Sequence, residues 1–210
     1  MSTLFRTLVI TGAALGLSAC VTLIPETEPS QLYRFGAGVG VGAASEVART
    51  ERTVGLVLSG SSFPRAASGD QILTLSGSKA AYVARARWVA PASVLFDEAL
   101  ARAYDRNSGP ARLINQGEVR PASTLLRLDV RRFETVYDLD EDAAPVVIVQ
   151  VRATLTPRDD RTQVTEEIFE ARVRASDNRV GEIVSAYDAA VGEVLQGVVD
   201  WSNRAARPTS

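Results

Sequence analysis

Between Pro145 and Thr156 the chain alternates with a period of two. Val147, Val149, Val151, Ala153 and Leu155 point one way, and Gln150, Arg152 and Thr154 point the other. A strand of this kind buries one face and wets the other. The fold that contains it must set a layer against the apolar side and leave the polar side to solvent. Glu166 to Ala175 repeats the pattern, with Phe169, Ala171 and Val173 against Glu170, Arg172 and Arg174.

Leu125 to Tyr137 is a third long strand, but its alternation slips. Leu126, Leu128 and Val130 are in phase, whereas Phe133, Thr135 and Tyr137 are one residue off. One extra residue near Arg131-Arg132, a β-bulge, restores the register. Gln71 to Leu75 and Ala80 to Arg87 form a hairpin across Ser76-Gly77-Ser78-Lys79, which has turn composition. In its second arm Tyr82, Ala84, Ala86 and Trp88 alternate with Val83, Arg85 and Arg87, and Pro91 breaks the strand. Leu32 to Val41, Thr53 to Ser59 and Arg112 to Asn115 complete the predicted strands.

Two segments switch to helical spacing. Ala92 to Arg106 carries Val94, Leu95, Leu100 and Tyr104 within reach of one face, with Ser93 as its cap. Val180 to Asn203 carries Val184, Tyr187, Val191, Val194, Val198 and Trp201 at alternating steps of three and four, a single apolar stripe. The predicted fold is α+β: a two-layer sandwich, largely antiparallel, with two amphipathic helices packed on one face of the sheet. Trp88, Trp201 and the long stripe are read as core, with partner-helix packing as the alternative use of the stripe.

The start of the chain has a different character. Arg6 precedes an uncharged apolar run, Thr7 to Leu17, and then Leu17-Ser18-Ala19-Cys20. A basic start, a short apolar segment and small residues are the parts of a secretory signal. The run is about eleven residues and a membrane span needs about twenty. Cys20 is the sole cysteine. Leu-Ser-Ala-Cys resembles the lipobox of bacterial lipoproteins, in which the cysteine is acylated and becomes the first residue. The expected division is a signal peptide over 1–19 and a lipidated N-terminus with a flexible tether over 20–31. One folded domain follows over 32–203, then a frayed, disordered tail over 204–210. The proline-broken tether, VTLIPETEPSQ, could reach roughly 30 Å. Val21 stands where aspartate would favour retention in the inner membrane, which points to the outer membrane.

Composition excludes several chemistries. Histidine is absent, so Ser-His-Asp and Cys-His arrangements cannot form, nor can zinc sites of cysteine and histidine. The formal charge of −2 becomes −3 once Arg6 is removed, which gives no reason to expect nucleic acid. No cofactor is expected. Gly36, Gly38, Gly40 and Gly42 lack the strand–turn–helix context of a nucleotide loop and are read as a flexible or closely packed strand segment. Asp138, Asp140, Glu141 and Asp142 suggest calcium, but an EF-hand starting at Asp138 would need glutamate where Val149 stands. They are read as a solvated loop, and no metal site is expected.

The ordered pattern resembles the ABC-type transport auxiliary lipoproteins, the paraquat-inducible protein C group among them. The marks are Leu-Ser-Ala-Cys20, Leu32-Tyr33-Arg34, Arg87-Trp88-Val89-Ala90-Pro91, Leu126 through Glu134 (LRLDVRRFE) and Ala186-Tyr187-Asp188-Ala189-Ala190. The proline-tyrosine-leucine stretch usual after the second strand is replaced by Gly60-Ser61-Ser62-Phe63-Pro64. The resemblance implies a non-catalytic docking component of an ABC and MCE-type phospholipid transport system. Its implied partners are an MCE-domain protein and the transporter's permease and ATPase. Acylated Cys20 would hold it on the inner leaflet of the outer membrane, facing the periplasm, and homo-oligomers stay open. Arg85, Arg87, Arg152, Arg172 and Arg174, joined by Arg127, form the candidate docking face, with Asp129 and Glu170 interspersed; a merely solvated face is the alternative. A carboxylate-based envelope hydrolase and a structural lipoprotein are the rival functions.

Overall fold

The computed structural model describes residues 29–37, 54–114, 118, 123–140, 142–160 and 162–205. Eight strands form one sheet: β1 (Gln31–Tyr33), β2 (Val54–Ser62), β3 (Gln71–Ser76), β4 (Lys79–Trp88), β5 (Ala111–Leu113), β6 (Thr124–Tyr137), β7 (Val146–Pro157) and β8 (Thr165–Arg174). Helix α1 (Ala92–Arg106) follows β4 and α2 (Val180–Ala205) closes the chain. The fold is α+β, as the alternation and the stripe required.

Strand β6 organises the sheet. One of its edges carries two neighbours in succession, β2 along Thr124–Asp129 and β3 along Thr135–Tyr137, both parallel to it. Its other edge pairs antiparallel with β7 along nearly its whole length, and β7 pairs antiparallel with β8. The sheet is therefore mixed. The longest ladders are antiparallel, whereas β1–β4 and β2–β5 are further parallel pairs. The β6–β7 register shifts between Val130 and Arg132, which makes Arg131 the bulged residue. The bulge keeps both Val130 and Phe133 in the core, each 2% exposed. The β3–β4 hairpin turns on Gly77 and Ser78, with Gly77 at φ 56°. Positive φ at the first central residue alone is the type II′ arrangement that suits strand twist.

Both helices lie on one face. Tyr187 of α2 meets Trp88 at 5.2 Å and Phe133 at 4.9 Å between ring centroids. Phe35 sits edge-on to Trp88, and Phe63 links Phe133 to Phe96 of α1. Tilted and edge-to-face contacts of this kind add to plain area burial. Trp88 and Trp201 are both core residues.

Four local expectations change. The predicted strand from Leu32 to Val41 stops at Tyr33; residues 34–37 are not strand, and 38–41 lie outside the described residues. Ser93 does not cap α1; Pro91 occupies that position. The carbonyls of Gly69 and Ser68 take the first helical N–H groups, from Ala92 and Ser93, and the Ser93 hydroxyl also donates to Ser68. Val94 faces solvent, and Phe96 and Ala99 join Leu95, Leu100 and Tyr104 in the buried stripe. In β4, Tyr82 and Ala84 are exposed, because residues 83–86 bulge opposite Ile72 alone. Arg85 takes the left-handed conformation there, at φ 57°. Only Ala86 and Trp88 keep the predicted burial.

Candidate docking face

The face of β6, β7 and β8 turned away from the helices is a grid set by the ladder registers. Arg127, Thr154 and Glu166 form one row, followed by Asp129, Arg152 and Ile168. Beyond them lie Arg132, Gln150 and Glu170, then Glu134, Ile148 and Arg172, then Val136, Val146 and Arg174. Cross-strand neighbours on one face stand about 5 Å apart, within reach of one another's polar ends.

Carboxylates meet most of these arginines. Arg152 lies 3.5 Å from Asp129 and 3.8 Å from Glu166. Arg131, carried onto this side by the bulge, also reaches Asp129 at 3.5 Å. Arg132 bonds Glu134 at 2.6 Å and Arg172 bonds Glu170 at 2.6 Å. Arg174 holds both oxygens of Asp138, at 2.7 and 3.1 Å, and the Ala144 carbonyl. The acids titrate accordingly. The Ser62 hydroxyl, with Arg131 and Arg152, holds Asp129 below the usual carboxylate range against some burial. Arg172 and Gln150 do the same for Glu170, and Arg174 for Asp138.

Arg127 differs. It is exposed and has no hydrogen-bond or ion-pair partner among the described residues. Ile168 differs in the opposite sense. It is 51% exposed, and among the described residues it is the one exposed large apolar side chain of β6, β7 and β8. Its neighbours on its own strand and face are Glu166 and Glu170, so it interrupts a polar run. That interruption is legible in the sequence as one isoleucine between Glu166 and Glu170 on an otherwise polar face.

The predicted five-arginine face divides in two. Arg152, Arg172 and Arg174 share the β7–β8 surface. Arg85 and Arg87 belong to β4, which β3 and β6 separate from β7. Arg87 pairs with Asp70 at 3.0 and 3.1 Å. Alternation gives a residue's side of the sheet but not its lateral place, which strand order decides.

The other candidates resolve simply. Asp140 accepts the backbone N–H groups of Asp142 and Ala143, an Asx turn that occupies its carboxylate. Glu141 lies outside the described residues, as do Cys20, Gly38, Gly40 and Gly42. Among the described residues no cluster of His, Cys, Asp and Glu could hold a metal ion, and no helix is long and apolar enough to cross a membrane. A polar groove of about 430 Å³ lies where the helix ends meet, around Asn107, Gly109 and Asn203.

The model of the family described as the ABC-type transport auxiliary lipoprotein component matches residues 40–199. Protein XCC0632 from Xanthomonas campestris, a DUF330 protein, has a similar solved structure. Its TM-score is 0.68 at 20% identity, covering 83% of this chain and 95% of that one. A second solved structure, of an uncharacterized protein, gives 0.62 at 11% identity, over 83% and 99%. At these identities the likeness is one of fold. No curated protein matches the chain.

Proposed function

Starting from the fact that this chain belongs to the ABC-type transport auxiliary lipoprotein family, we propose that it docks the periplasmic part of a phospholipid transport system to the outer membrane. The family is an auxiliary one, and its lipoprotein character makes the chain a membrane-anchored protein of the envelope. The finer reading has acylated Cys20 in the inner leaflet of the outer membrane. The folded domain then stands in the periplasm and contacts an MCE-domain protein that works with the permease and ATPase. The chain itself performs no chemistry.

The observation that carries this reading is the extent of the family match, which takes in every element from β2 into α2. The lack of histidine supports the non-catalytic part. So does the candidate face, whose carboxylates are engaged by arginines rather than turned toward an open cleft.

Two measurements test it. Mass spectrometry of the membrane-extracted protein should find Cys20 as an acylated first residue; an unmodified cysteine or another mature terminus refutes the anchor. Crosslinking in intact cells should join the domain to the MCE-domain protein of the same transport system. A domain that crosslinks to no transporter component, and that turns over an ester or glycan when purified, would establish the hydrolase instead.

A further inference from the structure

Resting on that docking reading, we infer that the partner contact on the open sheet face is centred on Ile168 and given its charge preference by Arg127, and not by the ion-paired arginines around them. The partner surface that fits is a protein offering an apolar side chain and, roughly 12 Å away, a carboxylate. That distance is the diagonal of two strand spacings and one two-residue step.

Arg152, Arg172 and Arg174 are each engaged by Asp129, Glu166, Glu170 or Asp138. A partner carboxylate must displace a partner that is already in place, and burying a satisfied pair sets desolvation against any gain. These pairs therefore act as a neutral polar surround. Ile168 carries the opposite balance. It is half exposed, so apolar surface leaves water when a partner covers it, with no polar group to satisfy. Asp129, Arg152, Glu166 and Glu170 lie around it in the ladder. An apolar centre within a hydrated rim is the usual arrangement of an interface residue that dominates binding.

Arg127 supplies the charge. Its row neighbour on β7 is Thr154, which cannot neutralise it, and its guanidinium has no partner among the described residues. A planar fork in that state takes a carboxylate in two places at once. Ile168 and Arg127 lie on β8 and β6, either side of β7, so the sheet fixes their separation.

The test compares capture of the MCE-domain protein of the same system by full-length acylated wild type, Ile168→Thr, Ile168→Val, Arg127→Gln and the triple change of Arg152, Arg172 and Arg174 to Gln. Threonine keeps the β-branched shape that suits a strand and loses the apolarity. Ile168→Thr should weaken capture about tenfold or more, and Ile168→Val by less than about threefold. Arg127→Gln should weaken it a few-fold at low salt and flatten its dependence on ionic strength. The triple variant should bind within about threefold of wild type. Unchanged melting temperatures confirm that each variant is folded. Capture by wild type that survives Ile168→Thr and Arg127→Gln but is lost in the triple variant overturns this inference and leaves the docking reading standing. A wild type that captures nothing removes both.

Discussion

The turn at Gly109 is tied through Asn107 to a residue far along the chain. Asn203, near the end of α2, accepts the Ala111 N–H and an Asn107 side-chain N–H on its oxygen, both at 3.0 Å. Its own side-chain N–H returns to the Asn107 oxygen at 2.8 Å, and that oxygen also takes the Gly109 N–H. The two amides thus tie the end of α1, the start of β5 and the end of α2 together. A Cβ on Gly109 would stand 2.4 Å from the Asn203 amide carbon, so any side chain there must expel the amide. Gly109→Ala should cost about 2 kcal/mol, through hydrogen bonds left unmade in a part-buried site. Asn203→Ala should cost a similar amount. Because both changes break one network, the double variant should lose much less than the sum. Urea midpoints at constant slope measure all three; additive losses would show that the two residues act separately. Asn107-Ser108-Gly109-Pro110 has the composition of a helix stop, because turn chemistry is local. Nothing there signals Asn203, because hydrogen-bond partners distant in sequence leave no periodic trace.

Among the elements, those with a strong internal period were readable and those defined by distant pairing were not. Strands β7 and β8, the apolar stripe of α2 and the Arg131 bulge follow from alternation, because a slip of one residue moves every side chain to the other face. The parallel pairs β2–β6, β3–β6 and β1–β4 join segments without a tight turn between them, and nothing in either strand names its neighbour. The same gap placed Arg85 and Arg87 beside Arg152 when β3 and β6 lie between. The wide bulge at residues 83–86 was hidden because Ala and Val fit either face. The Arg131 bulge can be tested directly. Deleting Arg131 removes the extra residue and joins Val130 to Arg132 in plain alternation, so Phe133 and Thr135 stay on the core face and keep their partners on β7. Phe133 then keeps its contacts with Tyr187 and Phe35. The expected loss is about 1 kcal/mol or less, from the local twist of the bulge and the exposed Arg131–Asp129 pair. Near-ultraviolet circular dichroism should keep its wild-type shape. A deletion variant with a collapsed spectrum and a loss of several kcal/mol would mean that Arg131 is not the spare residue of the register.

For the whole molecule, these particular environments predict how stability changes with pH. The phenol of Tyr104 donates to Ser202 at 2.6 Å, and Ser202 donates on to the Val198 carbonyl. Burial pushes Tyr104 up to about 12. Tyr187, fully buried beside Thr135, is raised as well, chiefly by burial. An unfolded tyrosine loses its proton near 10. Between about 10 and 12 the unfolded chain has therefore released a proton that the folded chain keeps, and stability falls as pH rises. The Tyr104 contribution is complete below pH 10 and amounts to about 3 kcal/mol once lost. At the acid end Asp129 and Glu170 are depressed, so their support holds above the unfolded carboxylate range and disappears as pH falls through the folded values. Asp97 works the other way: burial raises it, against the Ser61 hydrogen bond, so its charged form opposes folding at neutral pH. Asp97→Asn should leave stability at pH 7 unchanged or slightly higher. No histidine is present to titrate between these limits. Thermal denaturation should give a plateau from about pH 6 to 9 and a steep fall above 10. Tyr104→Phe should lower the plateau by about 1 kcal/mol through loss of the Ser202 bond, and it should make the alkaline fall shallower. An alkaline limb equally steep in the phenylalanine variant would show that Tyr104 does not carry it.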